Sequence, residues 1–202
     1  VLYYNPNTWP AEEYYRRGEE LKKFVAQAHP LGVTVIEDRY DPQEFYTAVQ
    51  GLENEPERGG RCTICYRLRM RRAAQYAKEH GFDWFTTTLS ISPHKDAARI
   101  NQIGQELEAE FGIRHLPSDF KKQHGYLRSL QLSEEYGLYR QDFCGCEFSA
   151  QARGCTAQSP AATAPLPGNP SGASCLSCQE RRHCKAMTER FTPPAFWTPE
   201  LQ

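Results

Sequence analysis

Apolar residues recur in two rhythms between Val1 and Leu116. Short β-prone runs alternate with longer stretches at helical spacing. Val1 to Tyr4 is a strand pattern broken by the turn formers Asn5-Pro6-Asn7. From Ala11 to Ala28, Tyr14, Leu21, Phe24, Val25 and Ala28 fall three, four and seven apart among Glu, Arg and Lys, which predicts an amphipathic helix closed by Pro30 and Gly32. Val33 to Ile36 predicts a second strand, and Asp41-Pro42 opens a helix through about Leu52. After a turn at Pro56, Gly59 and Gly60, the positions Tyr66, Leu68, Met70, Ala73, Ala74 and Ala77 predict a helix ending near Gly81. Trp84 to Leu89 predicts a strand. Ser92-Pro93 then reads as an N-cap with proline in the first turn of a helix carrying Ala97, Ile100, Ile103, Leu107 and Phe111. Ile113 to Leu116 is a further strand.

Strands alternating with helices predict an α/β fold with a parallel sheet and right-handed crossovers. Ligands gather at the carboxyl ends of such strands, where Asn5 to Asn7 and Thr86 to Ser90 fall. The pattern stops near Ala150. Residues 151–174, with Pro160, Pro165, Pro167 and Pro170 among small polar residues, read as a linker, and 175–202 as a Cys-containing C-terminal tail. The domain expected to carry the chemistry is therefore 1–150, and no internal repeat is visible. Val1 is not a methionine and starts inside a strand pattern, so residues upstream are expected.

Composition narrows this little. With 24 Lys+Arg against 25 Asp+Glu the net charge is −1, which excludes a uniformly basic nucleic-acid scaffold but not a local basic patch. The mean hydropathy of −0.71 and the lack of any long apolar run exclude a membrane span, and no signal-peptide pattern is present.

The cysteines change the picture more. Cys62-x-x-Cys65 lies between a Gly-rich turn and a helix start, where the helix dipole favours thiolates. In Cys144-Gly145-Cys146 the glycine lets the backbone fold around whatever both sulfurs touch. Four thiolates from two distant pairs suit tetrahedral zinc or an iron–sulfur cluster, and spacing does not choose between them. A disulfide or thioredoxin-like redox pair is the main competitor. Cys155, Cys175, Cys178 and Cys184, with His183, read equally as a small zinc site or an inert tail. Arg58, Arg61, Arg67, Arg69, Arg71 and Arg72 form a basic run beside the first pair, and Lys121, Lys122 and Arg128 another before the second. Either run can neutralise RNA phosphates, with Tyr66, Tyr126 or Tyr139 stacking on bases, or simply solvate a helix face.

Four long phrases go further. They are Tyr4-Asn5-Pro6-Asn7 with Pro10 and Glu13-Tyr14-x-x-Arg17; Glu57-Arg58-Gly59-Gly60-Arg61-Cys62-x-x-Cys65-Tyr66-x-Leu68-Arg69; Phe85 through Lys95; and Ser133-Glu134-Glu135-Tyr136-Gly137-Leu138-Tyr139-Arg140-Gln141-Asp142-Phe143-Cys144-Gly145-Cys146. Together they resemble the cobalamin-independent epoxyqueuosine reductases of the QueH type over nearly everything from Val1 to Ser149. The resemblance implies a Rossmann-like (HUP-type) parallel sheet with flanking helices. It also implies reduction of the epoxide of epoxyqueuosine, at the wobble position of tRNA, to queuosine. It further implies a [4Fe-4S] cluster and an additional iron ion, an electron donor of unidentified nature, and a cytoplasmic setting. Members of that family also begin with a Cys-Cys-x-x-Cys phrase, which this sequence lacks, and Thr8-Trp9 departs from their pattern.

By this resemblance the metal ligands are expected at Cys62, Cys65, Cys144 and Cys146. Proton donors are expected among Tyr139, Asp142, Lys95 and His94. Substrate contacts are expected at Asn5, Asn7, Arg17, Arg61, Thr87, Ser90, Arg140 and Gln141. Two other classes stay open: a non-catalytic zinc-stabilised RNA-binding module on the same cysteines, and a HUP-type tRNA sulfur-transfer enzyme, which needs a phosphate-cradling loop not seen here.

Overall fold

A computed structural model of the chain describes residues 1–28 and 32–154. A helix over Glu147–Ala152 runs through the expected start of the linker at 151; the rest of the linker from 155 on, the late cysteines and the tail lie outside the described residues.

The elements run β1 (Leu2–Tyr3), α1 (Ala11–Ala28), β2 (Ile36–Glu37), α2 (Pro42–Ala48), α3 (Gly60–Glu79), β3 (Trp84–Phe85), a short 3-10 turn (Thr88–Ile91), α4 (Ala97–Phe111), β4 (Arg114–His115), α5 (Gly125–Glu135) and α6 (Glu147–Ala152). β1 pairs parallel with β2, Leu2 opposite Ile36, and β3 pairs parallel with β4, Trp84 opposite Arg114. The parallel sense is as expected, but in place of one continuous sheet the described residues form two separate two-stranded ladders. Each strand is two residues long, so side chains carry most of the cohesion.

Two apolar clusters supply it. In the larger, Met70, Ala74 and Ala77 of α3 pack on Ile100, Ile103 and Leu107 of α4 and on Phe85, the heptad-like spacing that predicted both helices. A tyrosine stack fastens β1 to α1: Tyr14 is fully buried, stacks on Tyr40 at 4.4 Å, and donates its hydroxyl to the Asp38 carbonyl at 2.8 Å. Tyr3 donates to the Tyr14 carbonyl at 2.6 Å. Burial raises the Tyr3 hydroxyl to about 12 against the opposing pull of Asn5, Arg17 and Arg69, so it stays neutral in the core.

Three expectations need correcting. Ser92-Pro93 does not cap α4; Asp96 does, its carboxylate accepting from Arg99 N at 3.1 Å. An aspartate three residues before that N–H is the better acceptor for an orphan helix donor, and it left the Ser-Pro pair in the preceding loop. The strand expected over Trp84 to Leu89 ends at Phe85 because Thr87 turns the chain, its hydroxyl accepting from Leu89 N at 3.3 Å. The helix expected to reach Leu52 stops at Ala48. Helices α5 and α6 had no sequence-level expectation.

Candidate functional site

The second apolar cluster contains both cysteine pairs. Phe45, Val49 and Cys146 are buried together, with Ile64, Cys65, Leu68, Cys144 and Phe148 packed against them. One pocket is lined by Cys62, Cys65, Cys144 and Cys146 with Asn7, Phe45, Arg61, Tyr66, Arg69 and Lys95. Two pairs far apart in sequence thus face a single space. All four thiols are free, so neither pair is a disulfide. As the side chains lie, no three His, Cys, Asp or Glu groups among the described residues are close enough to share one ion; the pairs share a pocket rather than a finished coordination sphere.

Each pair is delivered by a different device. Cys62 and Cys65 stand on the first turns of α3, one helical step apart, and the Arg58 N–H donates to Cys62 Sγ at 3.3 Å. Arg58 adopts a left-handed φ of 74° to aim that N–H. The second pair sits on a loop before α6. Gly145 has φ 116°, and a Cβ there would lie 2.7 Å from Arg17 Nη1, so both conformation and space require glycine. Trp9 N–H donates to the Gly145 carbonyl at 2.8 Å, and Arg17 Nη1 to the Cys144 carbonyl at 3.4 Å.

Electrostatics favour thiolate at Cys144 and the protonated thiol at Cys146 and Cys65. Cys144 and Cys146 sulfurs are 3.5 Å apart. A hydrogen bond from Cys146 drives Cys144 well below the usual thiol range, Lys95 adding to it, and the same contact holds Cys146 up. Burial pushes the Cys65 thiol up to about 11 against the pull of Arg69 and Lys95. Among the described residues, buried polar atoms without partners include Asn7 Oδ1, Arg61 Nε and Tyr66 Oη, all three on residues that line this pocket, and Arg17 Nη2 beside it. Such orphans are costly unless something polar completes them.

The other expected residues fall as follows. Lys95 lines the pocket, its ammonium 5.6 Å from the Tyr66 ring centre. Tyr139 is engaged elsewhere: its hydroxyl donates to Glu13 Oε1 at 3.0 Å and the Arg16 guanidinium lies 3.5 Å over its ring. His94, Asp142, Arg140 and Gln141 are exposed, and Arg140 donates to Ser133 Oγ at 3.0 Å. Ser90 is fully buried, 3.4 Å from Ser118 Oγ and accepting from Phe120 N, and Thr87 caps a turn; both brace the loop after β3. Asn5 accepts from Thr8 N at 3.1 Å through its carbonyl, shaping the turn that presents Asn7. Arg61 is structural as well as pocket-lining, its Nη1 donating to the Leu52 and Glu53 carbonyls at 3.1 and 2.7 Å.

The basic runs are largely neutralised. Arg67 pairs with Glu106, Arg71 with Glu110 and Arg72 with Asp38; Lys121 and Lys122 both pair with Asp119, and Arg128 with Glu135. The helix-face reading fits most of these residues better. A groove of about 730 Å³ beyond the ends of β1 and β2 has the same character, its Arg39, Arg71 and Arg72 each held by a carboxylate. Sequence reasoning missed Phe45 and the contact of Glu13 with Tyr139, whereas the i,i+4 spacing of Glu13 and Arg17 did signal their ion pair.

Fold and pocket define a thiol-centred α/β protein whose cysteine pairs come from a helix start and a glycine loop. The chain belongs to the QueH family, whose model, described as epoxyqueuosine reductase QueH, matches residues 1–152. It is 43% identical over 157 residues to epoxyqueuosine reductase QueH of Streptococcus pyogenes serotype M1, covering 76% of this chain and 62% of that protein. It is 38% identical over 159 residues to the Staphylococcus epidermidis protein of the same name, covering 76% of this chain and 67% of that one. With the Thermotoga maritima protein of that name it shares 37% over 155 residues, 75% of this chain and 79% of the relative. The chain thus spans about two thirds or less of the length of the two relatives named first.

Proposed function

We propose that the chain is an oxidoreductase that reduces the epoxide of epoxyqueuosine in tRNA to the alkene of queuosine, on a HUP-type Rossmann-like scaffold. The observation that carries this reading is the convergence of four free thiols and several unpartnered buried polar atoms on one pocket in a chain of the QueH family. The reaction removes the epoxide oxygen as water, consuming two electrons and two protons. A cysteine pair yields two electrons only by closing to a disulfide that an outside reductant must reopen at every turnover; a bound redox group fed by an electron donor is the source we assign.

The residues fit such a group. Cys62, Cys65, Cys144 and Cys146 are an all-sulfur donor set that would suit a [4Fe-4S] cluster, and an additional iron ion would need ligands beyond those four. Bound there, the cluster supplies single electrons and an open iron position supplies Lewis acidity toward oxygen. Arg69 and Lys95 beside Cys65 and Cys144 offset thiolate charge. The buried donors Arg61 Nε and Tyr66 O–H suit sulfur or oxygen acceptors, whereas Asn7 Oδ1 is an acceptor and suits a substrate hydroxyl.

Of the four candidate proton donors, Lys95 alone lines the pocket. We assign it the proton delivered to the departing oxygen. Tyr139 is committed to Glu13, and His94 and Asp142 are exposed. A tRNA carrying epoxyqueuosine is the substrate partner, with an electron-donor protein or small reductant required. No described helix is long and apolar enough to cross a membrane.

Anaerobic reconstitution with iron and sulfide, metal analysis, and assay of queuosine formation on epoxyqueuosine-containing tRNA test the proposal. Iron with acid-labile sulfide and turnover is the expected result. Zinc without iron, and no turnover, overturns it in favour of a zinc-stabilised RNA-binding module.

A further inference from the structure

We infer that Glu13 is a positioning residue that holds the Cys144-Gly145-Cys146 loop in place through Arg17 and Tyr139. A single carboxylate oxygen, Glu13 Oε1, accepts from Arg17 Nε at 2.8 Å and from the Tyr139 hydroxyl at 3.0 Å. Both donors lead to the loop. Arg17 continues through Nη1 to the Cys144 carbonyl at 3.4 Å, and its guanidinium lies 5.3 Å from the Phe143 ring centre. Tyr139 begins the segment that runs into the loop, and its own N–H donates to Glu20 Oε1 on the same helix at 3.1 Å.

The arrangement is specific. Glu13 is only 8% exposed, and the side chains of Arg17 and Glu13 are 13% and 9% exposed. A buried pair of this kind is sensitive to loss of one partner, because the other is left as an uncompensated charge. Glu13 lies in the first turn of α1 and Arg17 four residues on. Both the helix dipole and the Glu-before-Arg order favour that placement. Arg17 is the residue against which a Cβ at Gly145 would collide. Fixing its side chain therefore fixes how closely the loop can approach α1. The first cysteine pair owes nothing to this network, since Cys62 and Cys65 ride on α3. The brace acts on one half of the thiol pocket only, whichever group the thiols take.

That asymmetry supplies the test. Backbone hydrogen–deuterium exchange of the full chain, resolved by peptide, is compared for wild type, Glu13→Gln, Arg17→Lys and Tyr139→Phe, with thermal midpoints recorded alongside. Arg17→Lys keeps the charge, but one ammonium cannot serve Glu13 and the Cys144 carbonyl in the same geometry. Exchange in 139–146 is expected to accelerate by about fivefold or more in Glu13→Gln and Arg17→Lys, and by less in Tyr139→Phe, while 62–77 on α3 stays within about twofold of wild type. Unchanged exchange in 139–146 overturns the inference. So does acceleration that spreads equally to α3 in all three variants, which marks general destabilisation. The readout is independent of turnover, so failure of the reductase proposal leaves it intact.

Discussion

Gly104 on α4 lies directly against the His115 ring: a Cβ on that glycine would sit 2.2 Å from Cε1 and 2.4 Å from either ring nitrogen. The ring is wedged between Gly104 and Phe85, whose centroid is 5.1 Å away, and is 3% exposed.

Gly104→Ala therefore sets two effects against each other. Alanine in a helix interior is favoured over glycine by about 1 kcal/mol. Overpacking a closed site costs about 1–3 kcal/mol, and a buried ring has little room to retreat. Net destabilisation is expected, read as a lower urea midpoint; a higher midpoint would show that His115 moves aside freely.

His115 itself makes stability depend on pH. Burial lowers its affinity for a proton, and neither ring nitrogen has a partner. Below the ordinary histidine pKa of about 6.5 the unfolded chain takes up a proton that the folded chain resists, so stability present above that pH is lost as pH falls toward the folded value. Denaturation midpoints between about pH 7.5 and 5.5 should fall more steeply for wild type than for His115→Asn. Parallel profiles would count against the ring as the cause.

At Gly145 the expected penalty is conformational first. Gly145→Ala must adopt a φ of 116° and displace Arg17, costing about 1–3 kcal/mol. Loading of metal on the four thiols is expected to fall well beyond what that loss of stability explains, measured as metal per chain at equal folded fraction.

Among the arginines, burial rather than charge should rank the effects. Arg61→Ala strips donors from two carbonyls inside a 5%-exposed site, for about 1–3 kcal/mol. Arg67→Ala breaks an exposed, solvent-screened pair with Glu106 and should cost far less than Arg61→Ala. Equal losses in chemical denaturation would contradict this ordering.

Much of the framework was legible because it rests on local signals. The periodicity from Tyr14 to Ala28 located α1 within its observed bounds, and α3 and α4 followed from Met70, Ala74, Ile100, Ile103 and Leu107. Helix α5 carries Tyr126, Leu127, Leu130 and Leu132 but buries none of its residues, and its short pattern was passed over in the sequence. The division into two ladders was hidden for another reason: with two-residue strands, pairing is decided by packing rather than by strand pattern. Within the pocket, the four cysteines, Asn7, Arg61 and Lys95 were named from sequence. The engagement of Tyr139 by Glu13, more than a hundred positions away in the chain, is a tertiary contact that no spacing rule encodes.

Placing one cysteine pair on a rigid helix and the other on a braced loop also has a topological consequence. Any group grasped by both pairs closes a ring through roughly eighty residues of chain, containing α4, α5 and the β3–β4 ladder, and acts as a removable cross-link. By loop-closure entropy alone such a link is worth about 4–5 kcal/mol. Chelation should therefore lower the melting temperature of parts of the molecule far from the thiols, and losing the occupant of the pocket would register as loosening of the whole domain.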